Sequence, residues 1–450
     1  MPKQSESGSF RDPSGHVYYQ DGQIFRQINH SYQDNYQLLM SSGLYDDLVK
    51  SQQLISHTEI TSPRGIYKII QPTPIPFISY PYEWCFSQLQ QAALLTLNIQ
   101  KKCLHYGLSL KDASAFNIQF IGKKPIFIDT LSFEKYVPDS PWVAYRQFCQ
   151  HFLAPLALMS YTDIKLHKLS QLYLDGIPLD LASHLLPASA RLNFGIFGHL
   201  ILNATSQQIM AAEQEDKQKY HLSLTALENL VESLINTVSN LTPKIRKSTW
   251  GQYYSHTNYD QLAFKKKADL VSRFLRKTST KTVLDLGANN GLFSQIAAKT
   301  EAYVISADYD EKSVEDNFTH SGSSTILPLV IDFMNPSPNS GWANTERKSF
   351  WDRLNVDVIM MLATIHHLAI ANNLPFSHIA SLISHHCRYL IIEFVDKQDS
   401  QVQILLSHRQ DIFTNYDQAT FETEFGKYFK IISREPILHS HRCLYLMKKK

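Results

Sequence analysis

The chain has 450 residues, 44% of them hydrophobic and 12% aromatic, which is enough apolar material for two or three packed domains and shows no bias toward disorder. Its formal net charge of +2 is spread along the chain, and the lysine triplets Lys265–Lys267 and Lys448–Lys450 read as solvated faces, so charge makes little case for a nucleic-acid partner. Five cysteines without a CxxC pair argue against a disulfide framework and a structural zinc site; with no secretory apolar segment and no long apolar run, a cytoplasmic protein without a membrane span is expected.

Taken in order, residues 1 to about 60 predict a small α+β element. Strand-like stretches at His16–Tyr19 and Gln23–Ile28 flank the turn signal Asp21-Gly22, and a helix is expected near Leu38–Leu54. Two short apolar runs between Gly65 and Tyr82 are separated by prolines. Glu83–Leu104 then shows helical periodicity, with Leu89, Ala92, Leu95 and Leu97 among its apolar positions. A loop over Ser109–Asn117 precedes a hairpin of Ile118–Ile121 and Pro125–Ile128 through Gly122. Residues 140–205 read as helical, with segments Trp142–Ser160 and Asp163–Leu174.

Within this half, Asp112-Ala-Ser-Ala-Phe-Asn117 places an asparagine five residues after an aspartate, and Asp129 follows the hairpin. The pattern resembles the catalytic and metal-binding loops of protein-kinase-like phosphotransferases, and Ile75–Glu83 is similar to their hinge strand. The resemblance implies that Asp112 orients an acceptor hydroxyl while Asn117 and Asp129 hold magnesium against ATP phosphates. Leu110-Lys111-Asp112 departs from His-Arg-Asp, Asp129 is not followed by Phe-Gly, and no glycine-rich lid precedes it. Arg26 and Lys68 are poor substitutes for the phosphate-contacting lysine. An active phosphotransferase, a degenerate nucleotide-binding or substrate-recruiting domain and a chance pattern all stay open.

A helix capped by Thr225, with Glu228 three residues on, carries Leu227, Leu230, Val231, Leu234, Ile235 and Val238 on one face. The domain connection is placed here, over residues 206–262. Trp250–Tyr254 and Thr257–Tyr259, which interleave aromatics with amides, read equally as a lid over a ligand and as interdomain packing. From Asp269 onward helix and strand alternate, which predicts a parallel sheet with helices on both faces.

Thr282–Ser294 is a short apolar strand that breaks into a glycine turn and then a helix. Gly287 and Gly291 permit a tight turn and close approach to a ligand. Asp285-x-Gly287-x-Asn289-x-Gly291 lacks the middle glycine of a dinucleotide fingerprint. It resembles instead the first motif of class I S-adenosylmethionine-dependent methyltransferases. Asp308, seventeen residues after Gly291, then falls at the ribose position; Asp332 and Phe333 fall at the adenine position; Leu362–Leu368 is similar to the segment beside the donor methyl.

The resemblance implies a Rossmann-like, doubly wound methyltransferase sheet closed by an antiparallel pair at Tyr428–Ile432 and Cys443–Met447. It also implies S-adenosylmethionine held by Asp285, Gly287, Asn289, Gly291, Asp308, Asp332, Phe333 and Leu362. Methyl transfer needs in-line positioning, and a base only if the acceptor starts protonated. His366 is the first candidate, with His367 and Glu393 behind it; a pocket-shaping role for both histidines is equally open. The polar, turn-rich block Asn335–Arg347 either shapes an acceptor site through Trp342, Glu346 and Arg347 or is a structural loop.

The expected organisation is a kinase-like α+β domain over 1–205, a helical connector and aromatic lid over 206–262, and a methyltransferase domain over 263–450. The expected activity is methyl transfer to a small molecule, glycan or protein side chain. The rival readings are a kinase-like phosphotransferase or nucleotide-binding protein regulated by a cofactor-sensing C-terminal domain, and a non-catalytic scaffold.

Overall fold

The computed structural model describes residues 4–204, 221–245, 261–320, 322–407 and 410–450. The chain divides into two compact units, residues 1–245 with 338–349 and residues 246–337 with 350–450. The aromatic segments Trp250–Tyr254 and Thr257–Tyr259 lie outside the described residues.

The N-terminal unit opens with a five-stranded antiparallel sheet of order β1 (Gln4–Ser5), β2 (Gly15–Gln20), β3 (Gln23–Ile28), β5 (Lys68–Pro72) and β4 (His57–Ile60). Asp21 and Gly22 both adopt positive φ, 52° and 75°, so the two-residue turn between β2 and β3 matches the twist of its strands. The helix expected over Leu38–Leu54 is two helices, Gln33–Ser41 and Leu44–Lys50. The break falls at Gly43, whose φ of 89° ends one helix and starts the next.

Helix Phe86–His105 begins three residues later than the periodicity implied, because Pro81–Glu83 forms a separate turn and Cys85 occupies the cap. Its Leu89, Ala92, Ala93, Leu97 and Ile99 are buried, each large one worth about 1.5–3 kcal/mol over exposure. Strand β6 (Leu108–Leu110) pairs with β9 (Phe133–Lys135), and β7 (Ile118–Ile121) with β8 (Lys124–Phe127), the hairpin expected from Gly122. The stretch Trp142–Ser160 is not one helix. It runs from Tyr145 to Phe148, widens into a π turn over Cys149–Leu153 and resumes over Ala154–Tyr161.

The amphipathic helix expected in a connector belongs to this unit, over Leu224–Ser239. It packs on helix Phe86–His105, where Gln90 Nε2 donates to the carbonyls of Val238 and Leu241 at 2.8 and 3.0 Å. Its cap is Ser223, which accepts from Ala226 N at 3.3 Å, rather than Thr225.

The C-terminal unit is a seven-stranded sheet of order β12 (Ile326–Val330), β11 (Tyr303–Asp308), β10 (Thr282–Leu286), β13 (Val356–Met361), β14 (Cys387–Val395), β16 (Arg442–Lys449) and β15 (Phe429–Ile437). Strands β10 to β14 are mutually parallel, and β16 runs antiparallel between β14 and β15, so the sheet closes with the expected pair. One face is sealed by helix Gln261–Lys277, whose Leu270, Val271 and Phe274 meet Val283, Val304, Val358 and Leu446. Near β14, Phe376, Phe394, Tyr416, Phe421 and Phe425 form an aromatic cluster. The strand order reverses between β10 and β13. Crevices at such switch points, outside the carboxyl ends of the strands, are where open α/β sheets bind ligands.

Candidate functional site

A cavity of about 450 Å³ lies at that switch point, lined by the ends of β10, β11, β12 and β13. It takes Asp285, Gly287 and Asn289 from the first, Asp308 from the second, Asp332 and Phe333 from the segment after the third, and Leu362 with Thr364 after the fourth. The turn that shapes it is conformationally exacting. Gly287 has φ 77°, and a Cβ there would sit 2.2 Å from Thr364 Cγ2. Asn289 and Ala363 hold positive φ as well, at 51° and 55°, backbone that non-glycine residues adopt only when the surroundings enforce it.

Asp285 is buried and anchored by Ser294 Oγ, which donates to Oδ2 at 2.7 Å; Ser294 in turn hydrogen-bonds Ser306, which accepts from Asn317 Nδ2. Asp308 accepts from Asn289 N at 2.8 Å and from Asp310 N at 3.0 Å, which ties the glycine turn to the second strand end. Burial pushes both carboxyls up to about 6; for Asp285 the Ser294 bond opposes the rise. Asp332 accepts from Met334 N at 2.9 Å, and Phe333 packs against Phe350 and Trp351.

Gly291, expected against the ligand, is absent from the cavity lining. It caps helix Leu292–Ala298 with φ 79°, and a Cβ would meet Asn317 Oδ1 at 2.3 Å, so its work is close packing behind the turn. The histidines also separate. Adjacent helical residues point about 100° apart, so only one of two neighbours faces a given wall. His367 lines the cavity; His366 is wholly buried outside it, with neither ring nitrogen hydrogen-bonded among the described residues. Burial first, and the adjacent His367 second, hold His366 far below its ordinary range, and its place outside the cavity keeps it from a bound acceptor.

Glu393 is likewise out of reach. It is fully buried on β14, with Oε2 2.6 Å from Lys267 Nζ and Oε1 3.6 Å from Arg442 Nη1, while Arg442 makes a second ion pair to Asp399 at 2.7 Å. Lys267 itself lines the cavity, with Nζ 4.8 Å from the centre of the Phe293 ring. Sequence reasoning missed Lys267 because it sits in a lysine triplet. Its spacing from Ala263, Leu270, Val271 and Phe274 marks it as an apolar-face position, which was the available signal.

The insertion Asn335–Arg347 contributes nothing beyond its first residues' neighbours to the cavity. Residues 338–349 belong to the N-terminal unit. There Glu346 is buried and pairs with Arg11 at 2.6 Å, Arg347 lies 4.2 Å above the Phe116 ring, and Trp342 is 74% exposed.

In the N-terminal unit Asp112, Asn117 and Asp129 do gather. Asn117 hydrogen-bonds Asp112, and burial with the nearby Asp129 raises the Asp112 carboxyl. Asp129 is fully engaged: Oδ1 accepts from Leu131 N at 2.9 Å and pairs with Arg26, and Oδ2 accepts from Ser132 Oγ at 2.6 Å. Arg26 also pairs with Asp12 at 2.8 Å. The cluster sets three carboxylates around one guanidinium, and Arg26, Leu131 N and Ser132 Oγ together take up Asp129 where a magnesium ion would need it, which does not fit a magnesium and ATP site. Among the described residues no group of three His, Cys, Asp or Glu side chains is placed to hold a metal ion, and no helix is long and apolar enough to cross a membrane.

The fold and cavity define a doubly wound α/β unit with a cavity at the switch point, preceded along the chain by an α+β unit. No family model matches the chain. It is 32% identical over 457 residues to nodulation protein NoeA of Rhizobium meliloti strain 1021, an alignment that covers 98% of this chain and 96% of that one, and it belongs to the NoeA family. Among solved structures it is similar to the N-methyltransferase NodS of Bradyrhizobium japonicum WM9, with 11% identity over 42% of this chain and 98% of that one and a TM-score of 0.32. Others are the magnesium protoporphyrin IX methyltransferase ChlM of Synechocystis PCC 6803 with bound SAM (16%, 46% and 86%, 0.30) and WbdD with a kinase inhibitor (15%, 47% and 47%, 0.29).

Proposed function

We propose that the C-terminal unit is a class I S-adenosylmethionine-dependent methyltransferase. The observation that carries the reading is the convergence of Asp285, Asp308 and Asp332, from three successive strand ends, on one cavity at the switch point. Asp308 suits a ribose, since a carboxylate accepts from two adjacent hydroxyls. Asp332 and Phe333 suit an adenine amino group and ring face. Gly287 leaves the backbone bare where the donor's amino-acid portion would lie, with Asp285 and Lys267 supplying opposite charges for its ammonium and carboxylate.

When bound, the donor supplies an activated methyl group on a sulfonium. The protein's part is to hold the acceptor in line, keep water out and take a proton where the acceptor carries one. His367 is the cavity residue equipped for that last step. Titration calorimetry with S-adenosylmethionine and S-adenosylhomocysteine tests the reading. Binding of both, lost in Asp308→Ala and Gly287→Arg, is expected; absence of heat with either ligand for the intact protein defeats it.

A further inference from the structure

The cavity of the C-terminal unit is lined by two sets of residues of different origin. The ends of β10, β11 and β12 bring Asp285, Asp308 and Asp332, and helix Gln261–Lys277 adds Lys267. The second set comes from other places: Phe264 on the same helix, His367, Leu368, Ala371 and Asn372 on the turn after β13, and Leu405 on helix Ser400–Ser407. Among the described residues this second wall carries no carboxylate, lysine or arginine. It is an apolar surface with one imidazole and one carboxamide.

That wall is also held in place. His367–Ala371 forms a π turn, an irregularity often found at functional sites, and Asn372 closes it by donating from both N and Nδ2 to the His367 carbonyl at 3.1 and 2.9 Å. The strained Ala363, with φ 55°, starts the same excursion.

Resting on the methyl-donor reading above, the geometry points to an uncharged, partly apolar acceptor that takes the methyl on a hydroxyl oxygen, with His367 receiving the hydroxyl proton. In that reading each charged group of the cavity already has a part of the donor, Asp285 the ammonium, Lys267 the carboxylate, Asp308 the ribose and Asp332 the adenine, so among the described residues none is left for a charged acceptor. An ammonium pressed against Phe264, Leu368 and Leu405 would lose its hydration without a carboxylate in return. A hydroxyl needs only one acceptor for its proton, and the imidazole provides it. In the step the hydroxyl oxygen forms a bond to the methyl carbon, the carbon–sulfur bond breaks with its electron pair going to sulfur, and the proton passes to His367 and then to water. Burial, with Arg442 second, lowers the His367 ring to about 4, so it stands uncharged and able to accept at neutral pH.

The test uses the full chain and two matched probes, octyl β-glucoside and its 6-amino-6-deoxy counterpart. With the protein saturated with S-adenosylhomocysteine at pH 7, calorimetry is expected to show the hydroxyl probe binding at least about ten-fold more tightly than the amine. With methyl-labelled S-adenosylmethionine, mass spectrometry should show an ether-linked methyl on octyl glucoside. His367→Gln and His367→Asn should lower that turnover by about 100-fold while donor affinity stays unchanged. Equal or tighter binding of the amine, methyl on nitrogen, no methyl on the hydroxyl probe despite donor binding, or full turnover in both variants overturns the inference. Failure of the intact protein to bind the donor strikes the reading beneath it instead.

Discussion

Replacing Lys267 by methionine isolates the buried charge pair behind the cavity. The stem is kept and the ammonium removed, so Glu393, with no exposed surface, loses a partner at 2.6 Å while Arg442 stays at 3.6 Å. Breaking a buried pair on one side costs about 3–5 kcal/mol, and the remaining arginine places this case near the lower end, about 3 kcal/mol. At about 2–4 °C per kcal/mol for a unit of this size, the melting temperature should fall by about 6–12 °C. Urea and thermal unfolding at pH 8 measure the loss, and Lys267→Met/Glu393→Gln should recover most of the stability. A single variant as stable as the parent at pH 8, or a double variant no better than the single, refutes the coupling.

Asp285 and Asp308, raised from 3.8 to about 6, favour the unliganded fold fully below about pH 4 and lose that contribution as pH rises through 6. A donor that hydrogen-bonds their ionised forms should therefore bind more weakly at pH 5 than at pH 7.5, which calorimetry checks. Gly291→Ala and Gly287→Ala should each cost stability, about 1–2 kcal/mol for the left-handed backbone plus the clash with Asn317 or Thr364, and Gly287→Ala, on the cavity wall, should also weaken donor binding; urea titration beside calorimetry separates the two effects. In the N-terminal unit Arg26→Met should destabilise by about 1–3 kcal/mol by stranding Asp129 and Asp12, and magnesium ATP should give no heat with the parent protein. Ser223→Ala should cost about 1 kcal/mol in urea unfolding, and Thr225→Ala much less.

What was legible in the sequence was local. The strand and turn at Thr282–Ser294, the aspartates at later strand ends and the Asp21-Gly22 hairpin are written in contiguous residues whose backbone demands few alternatives satisfy. What was not legible depends on which way a side chain turns once packed. His366 and His367 are indistinguishable as neighbours in sequence, yet one faces the cavity and the other the core. Glu393 looked available at a strand end because its partners, Lys267 and Arg442, lie far away along the chain. Gly291 signalled a special turn, and in the fold its bare Cα lies against Asn317, behind the cavity.

The excursion at residues 338–349 bears on how the protein is made. The N-terminal unit is complete to residue 245 except for these twelve positions, which include the buried Glu346 and its pair with Arg11. On a ribosome adding about 5–20 residues per second, the intervening stretch of roughly a hundred residues delays their arrival by about 5–20 s. Throughout that interval Arg11 and the ring of Phe116 wait for partners encoded after β12, so the first unit cannot finish folding until part of the second has been synthesised. A gene cut at the apparent boundary near residue 245 would leave the N-terminal half permanently without these twelve residues.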